Sequence, residues 1–362
     1  MWWLLAQLFS SARVVPEVPQ VPDCFAKVPL EIREVIVKKT DTKTRLTLAK
    51  LSHDFHQIIE RSQMTYESLT MTVSNSRIAI QFNDGLEVRQ RHFEPCQNGY
   101  VMRNPMNKWE KQMDGDYRKA AAAFFLGIFK NSKVTIERLE IKVSIEKLLE
   151  GPMLMCQLLW TGRHLSRFTF EKFAEDRAVL LDEMHRILAK KGFQLSVKTL
   201  YVDLDMDQDQ ILQILPYLKP RILEAIIIHH SRPNRPSGRQ MIGMDRIVET
   251  DQWKEAKNFS GFMKVCSLPF DKWAHFERVA ISVDTVNVRM ADIMEKLLET
   301  PHFRACLISF PRTANFDNVE ELLDRLRSPE RRTGRPVLLR INDKALMMSM
   351  GMLEFLQLMR VA

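Results

Sequence analysis

Glycine and proline are sparse, 12 and 16 of 362 residues, which excludes a collagen-like repeat, a low-complexity linker and a turn-dense all-β chain. No run of 18 apolar residues occurs, so no segment reads as a membrane-spanning helix. The five cysteines, Cys24, Cys96, Cys156, Cys266 and Cys306, are scattered and form no C-x-x-C pair or Cys/His cluster. A zinc site needs convergent ligand pairs at tight spacing, so these read as reduced core thiols of a cytosolic or nuclear protein. Charge of one sign is also scarce. Fifty-three basic residues against 45 acidic ones leave +8, interspersed along the chain, with no polycationic arm.

What is present is enough apolar material for a full core in about two or three domains: 45% hydrophobic residues, including 20 Phe, 20 Met and 6 Trp. Helices are expected to dominate. The opening MWWLLAQLFSSA has the apolar run of a signal peptide but neither its basic start nor a clean A-x-A site, and reads as an amphipathic or disordered leader. Three prolines in VVPEVPQVP then forbid a helix over residues 14–22, an extended linker.

Three short helices are expected between Val28 and Gln63: Pro29 to Lys39, Thr42 to Leu51 with Asp41 as a cap, and Asp54 to Gln63 with Ser52 as a cap. Each is too short to stand alone, so their apolar positions, among them Val35, Leu46 and Ile59, must pack on one another or on a partner. From Thr65 to Arg103 the period changes to two, with reversals at Ser74-Asn75-Ser76, Asn83-Asp84-Gly85 and Asn98-Gly99, as in a β-hairpin or meander. A helix is expected again after Tyr117.

Beyond Val134 a strand-like run is followed repeatedly by an amphipathic helix. The strand cores begin at Leu139, Phe168, Leu200, Ala225, Val279, Leu307 and Leu338, in steps of 25 to 32 residues apart from one of 54, which leaves room for a hidden strand. That is leucine-rich-repeat arithmetic without the asparagine ladder, the alternative being an ordinary α/β domain with a parallel sheet. Helices at Val286 to Glu299 and Phe316 to Leu326 would cover one face of the strands and leave the other for recognition. The expected fold class is thus α/β (α+β overall), with a leader and linker over 1–22, a three-helix unit over 23–63, a β-hairpin connector over 64–116 and a leucine-rich-repeat-like strand-helix array over 117–362.

Catalytic constellations are missing. Asp203, Asp205, Asp207 and Asp209 alternate like the start of a calcium loop, but Gln208 and Ile214 stand where that loop needs Gly and Glu, so they read as carboxylates at a helix start. His53 with His56, and His229 with His230, lack a third ligand and read as structural or surface side chains. No phosphate loop, G-x-S-x-G elbow or H-E-x-x-H occurs, so no enzyme, no metal and no cofactor is expected. Two loops gather arginine: Arg232, Arg235 and Arg239 in SRPNRPSGRQ, and Arg331, Arg332 and Arg335 further on. Guanidinium forks suit carboxylate or phosphate groups, so these six are the candidate substrate-binding residues. Nucleic acid is not the expected partner, because interleaved aromatics are missing from both loops.

Residues 28–56, VPLEIREVIVKKTDTKTRLTLAKLSHDFH, resemble an F-box, the module by which substrate receptors dock on the Skp1-type adaptor of cullin-RING ubiquitin ligases. Val28-Pro29 sits at the usual Leu-Pro, and Ile32, Ile36, Val37, Asp41, Leu48, Leu51 and Phe55 fall on its hydrophobic or turn positions, whereas Thr40 and Arg45 stand where leucine is preferred. The resemblance implies that Val28, Pro29, Ile32, Ile36, Leu48, Leu51 and Phe55 form the adaptor contact. The remainder resembles the FTH-type domain that accompanies this F-box in nematode proteins, most specifically at Ile247 to Lys257 and His275 to Val279. The implied function is a non-catalytic substrate receptor of a Skp1-cullin-F-box ubiquitin ligase with an unidentified protein substrate, in cytoplasm or nucleus. An adaptor-binding scaffold without a ubiquitination role is the alternative, and an RNA-associated regulator a more distant one.

Overall fold

A computed structural model describes residues 28–40, 42–62, 64–74, 77–85, 87–130, 134–143, 164–192, 194–203, 208–229, 244–264, 272–282, 300–309, 337–341, 344–350 and 355–360. They fall into two compact units, residues 1–197 and 198–362. Both arginine loops, the helices expected at 286–299 and 316–326, and the leader lie outside the described residues.

The first unit begins with helices α1 (Leu30–Lys39), α2 (Thr42–Leu51) and α3 (His53–Arg61), within two residues of the expected spans. A small core of Val37, Leu48, Phe55, Ile58 and Ile59 closes between them, with Ile36 and Ala49 packed at its edge. Strands β1 (Met64–Ser74), β2 (Arg77–Asn83), β3 (Val88–Cys96), β4 (Gly99–Asn104) and β5 (Trp109–Met113) follow as an antiparallel meander. Strand β6 (Val134–Val143) returns beside β1 in parallel, so the order is β6-β1-β2-β3-β4-β5. Gly99 holds the β3–β4 reversal at φ +130°, where a Cβ would also stand 2.2 Å from the Met113 carbonyl oxygen, so only glycine fits.

Helix α4 (Tyr117–Gly127) starts on an Asp116 cap, whose carboxylate accepts from the Arg118 amide at 2.8 Å. It covers the meander, with Phe124 against Phe93 at 5.6 Å between ring centroids. The helix that was expected to open the second domain therefore belongs to the first sheet. Helix α5 (His164–Lys191) corrects a second expectation, because Phe168 to Phe170 lie within it and not in a strand. Leu180, Leu181, Met184 and Leu188 are buried at helical spacing, and a helix nucleated there propagates at one hydrogen bond per residue through the two phenylalanines.

The second unit carries the parallel strands β7 (Ser196–Asp203), β8 (Ala225–His229), β9 (Asn258–Lys264), β10 (Arg278–Ser282) and β11 (Ala305–Ser309), in that order. Strand β9 fills the long step left open by the spacing. The sheet then turns antiparallel through β14 (Phe355–Arg360), β13 (Lys344–Met350) and β12 (Val337–Ile341). Leu338 to Arg340, expected as one more repeat strand, is thus an antiparallel strand at the sheet edge. Short helices α6 (Gln208–Leu212) and α7 (Asp251–Glu255) lie in the connections. Among the described residues no helix is long and apolar enough to cross a membrane.

Candidate docking faces

Two faces come from these elements, the first on α1 to α3. Helical spacing of 100° per residue puts Ile32, Val35 and Ile36 on one stripe of α1, away from Val37. Ile32 is 51% exposed, Val35 46%, and Leu51 on α2 64%. Together with Leu30 these supply four of the six most exposed large apolar side chains among the described residues. Of the seven residues implied for the adaptor contact, Pro29, Ile32 and Leu51 are exposed, Val28 and Ile36 half-buried, and Leu48 and Phe55 interior. Leu48 and Phe55 therefore hold the helices together beneath the face. Leu30 and Val35 were not assigned to it from sequence, although Val35 shares the stripe.

Polar contacts lock the helices behind that face. The Arg33 guanidinium pairs with Asp54 on α3 and donates from Nε to the Val28 carbonyl oxygen at 2.8 Å. Arg45 donates from Nε to the Thr40 carbonyl at 2.9 Å and from Nη2 to the Lys38 carbonyl at 3.2 Å. The Thr40 hydroxyl donates to the Val37 carbonyl at 3.2 Å. The two residues that depart from the leucine pattern thus satisfy carbonyls at the end of α1, which a helix C-terminus leaves without intrahelical donors.

The second face is on the parallel sheet. Each of four strands is entered through the same six-residue pattern, buried at positions one, four and six: Val197-Lys198-Thr199-Leu200-Tyr201-Val202, then from Leu223, Ala256 and Phe276, and the fifth repeats it at positions one and four with Phe303 and Cys306. The second position alternates in charge from strand to strand as Lys198, Glu224, Lys257, Glu277 and Arg304. Backbone amides bind the row together, Glu224 to Lys198 at 2.7 Å, Lys257 to Glu224 at 2.9 Å, Glu277 to Lys257 at 2.7 Å and Arg304 to Glu277 at 2.8 Å. The Arg304 and Glu277 side chains pair at 3.0 Å.

Alternation leaves the third and fifth positions on the opposite face. Strand register sets them in two rows, Thr199, Ala225, Asn258, Arg278 and Ala305, and Tyr201, Ile227, Ser260, Ala280 and Leu307. All are half-buried except Arg278, which is exposed. Parallel sheets are ordinarily covered on both faces. Here the covered side carries Leu200, Ile226, Phe259, Val279 and Cys306, and the other side carries a mixture of small, polar and apolar side chains that are only partly covered.

The stretches that carry the FTH resemblance supply the core beneath the covered side. Trp253, fully buried, meets the Phe259 ring at 4.7 Å and Phe276 at 5.0 Å, and donates from Nε1 to the Lys272 carbonyl at 2.6 Å. Thr250 caps α7 by accepting from the Trp253 amide at 3.3 Å. Gln252, also buried, donates to the Pro216 and Leu218 carbonyls at 3.0 and 2.7 Å. His275 lies 2.8 Å from the Trp253 carbonyl, so its Nε2 carries the proton, and burial lowers its pKa. Trp253, Gln252 and Phe276 build the core, while Arg278, in the second of these stretches, stands exposed in the first row.

The remaining sequence candidates fall apart spatially. Strand β7 ends at Asp203 and α6 begins at Gln208, Asp205 and Asp207 lie outside the described residues, and Asp209 pairs with Arg246. His53 is hydrogen-bonded to Gln57 at 2.9 Å. Among the described residues no group of three or more His, Cys, Asp or Glu is placed to hold a metal ion.

Residues 178–325 match the FTH domain family. Over 282 residues the chain is 20% identical to F-box A protein 224 of Caenorhabditis elegans, an alignment covering 77% of this chain. The chain spans 64% of that relative's length.

Proposed function

We propose that this chain, which belongs to the nematode F-box proteins carrying an FTH domain, is the substrate-recognition subunit of a Skp1-cullin-F-box ubiquitin ligase. In this reading α1 to α3 dock on a Skp1-type adaptor, the FTH region holds a protein substrate, and the chain works in cytoplasm or nucleus. It contributes proximity, and the bond-forming chemistry belongs to the ligase's other subunits. The observation that carries the reading is the apolar stripe of Ile32 and Val35, left exposed together with Leu51 although the three helices close a core of their own. An amphipathic helical unit with a filled core and a second apolar surface calls for a partner.

The test is affinity capture of the full chain with recombinant Skp1-type adaptor and cullin, beside an Ile32→Asp, Leu51→Asp double variant. Capture of both partners by the wild type and neither by the variant is the expected result. Adaptor without cullin points instead to a scaffold without a ubiquitination role. Capture of adaptor by the variant at wild-type yield overturns the proposed contact.

A further inference from the structure

We infer that the partly covered face of the parallel sheet binds an extended, acidic protein segment that runs across the strands with an anionic group over Arg278. This deepens the receptor reading, and rests on it for calling the bound segment a substrate. Charge supplies the first argument. None of the ten side chains in the two rows is acidic, and Arg278 is the single charged one. Its guanidinium is exposed and, among the described residues, has no side-chain partner, while the neighbouring Glu277 carboxylate is engaged by Arg304 at 3.0 Å. An exposed guanidinium on the fourth strand of an otherwise neutral five-strand surface is a fork waiting for a carboxylate or phosphate.

Shape supplies the second. Ser260, Ala280 and Ala305 make a low floor over β9 to β11 that lets another backbone approach, with Tyr201 on β7 and Ile227 on β8 rising at one end and Leu307 on β11 at the other. Five strands spaced about 4.8 Å apart span about 19 Å, the length of roughly six residues of extended chain. The face therefore fits a short strand-like segment with one anionic group over β10 and apolar flanks. A nucleic acid fits it less well, because backbone phosphates repeat and are held by several cations in a row.

The full chain is titrated by fluorescence polarisation against fluorescein-labelled peptides of sequence Leu-Ser-Ala-X-Ala-Ser-Val-Leu, in which X is glutamate, phosphoserine, glutamine or lysine. The glutamate or phosphoserine peptide is expected to bind about tenfold tighter than the glutamine one, as for a charge-assisted hydrogen bond, and the lysine peptide weakest. Which of the two anions binds tighter identifies the source of the charge. Arg278→Gln should abolish the preference and Arg278→Glu should reverse it in favour of lysine, with no loss of folding since the side chain is exposed. Equal binding of all four peptides, binding of none, or a glutamate preference that survives Arg278→Glu overturns the inference. So does tighter binding of polyuridine RNA that is lost in Arg278→Glu. Adaptor capture on the same preparations separates the two claims. Lost capture with an intact charge preference fails the receptor reading alone, and intact capture with no preference fails this inference alone.

Discussion

Arg45 reaches back from α2 to the carbonyl oxygen of Thr40 at 2.9 Å, joining the two positions at which the chain departs from the leucine pattern of F-box helices. The substitution of polar for apolar residues is thus paired. A guanidinium on one side meets the carbonyls of Lys38 and Thr40 on the other, and the Thr40 hydroxyl adds a bond to Val37.

Restoring the common residue with Arg45→Leu should therefore weaken this unit. Two side-chain hydrogen bonds at a partly buried helix end are lost, with about 1 kcal/mol expected against whatever apolar packing the leucine gains. Amide exchange in α1 and α2 should speed up about fivefold. Unchanged or slower exchange would mean that apolar packing outweighs the capping bonds.

The division between face and core on the three helices makes a sharper prediction. Ile32→Asp puts a charge at a half-exposed position, so the helices stay folded while apolar docking is lost. Phe55→Ala empties a fully buried site and should cost about 3 to 5 kcal/mol, melting α1 to α3 and with them the proposed adaptor contact. Circular dichroism and adaptor capture on both variants check this. A folded Phe55→Ala protein that loses capture would put Phe55 itself on the face.

Much of this was legible before any coordinates. Proline at the start of α1, serine before α3 and apolar residues at helical spacing were enough to locate the three helices. The partition of their apolar residues was not, because periodicity marks which positions are apolar and leaves open which side of a broad stripe meets the neighbouring helix. Hence Leu48 and Phe55 were read with Ile32 and Leu51. Strand β9 escaped because Asn258, Ser260 and Gly261 interrupt its apolar run. The glycine is there because a Cβ would stand 2.5 Å from the Phe259 ring, itself held by Trp253 and Phe276. Phe168 to Phe170 looked like a strand because three residues carry too little periodicity to distinguish a strand from a turn of helix. Arg278 lies in the His275 to Val279 stretch of the FTH resemblance, but nothing in that stretch sets it apart from its neighbours as a binding residue. Its importance comes from the register that sets it among four uncharged neighbours on other strands, which no single stretch of sequence contains.

Cys306 tests how tightly β11 is held. The side chain is buried and its thiol is pushed up to about 12 by desolvation, so at pH 8 almost none is thiolate, the reactive form. Native protein treated with iodoacetamide should be alkylated at the partly exposed Cys96 well before Cys306, which should react only after denaturant is added. Peptide mass spectrometry over a time course gives both rates. Equal rates would show that β11 opens freely in the native state.

Glu140 on β6 gives the last prediction, a dependence on pH. Its carboxylate is buried on the strand between Arg138 at 2.5 Å and Lys142 at 2.5 Å, and accepts from the Thr70 hydroxyl at 3.1 Å across the β1 register. Burial alone raises its pKa. The bonds from Lys142 and Thr70 and the charges of Lys142 and Arg138 outweigh it, and the group ends below the ordinary glutamate range. A carboxylate depressed on folding adds stability that is fully present above its unfolded pKa, about 4.3, and is lost as pH falls through the lower folded value. Glu140→Gln keeps the shape and removes the charge. The wild type should therefore unfold at higher urea than Glu140→Gln at pH 7, and the gap should begin to close below about pH 4.5 and be small near pH 3. A gap that is constant over this range would assign the difference to the local fit of the amide, and not to the ion pairs with Arg138 and Lys142.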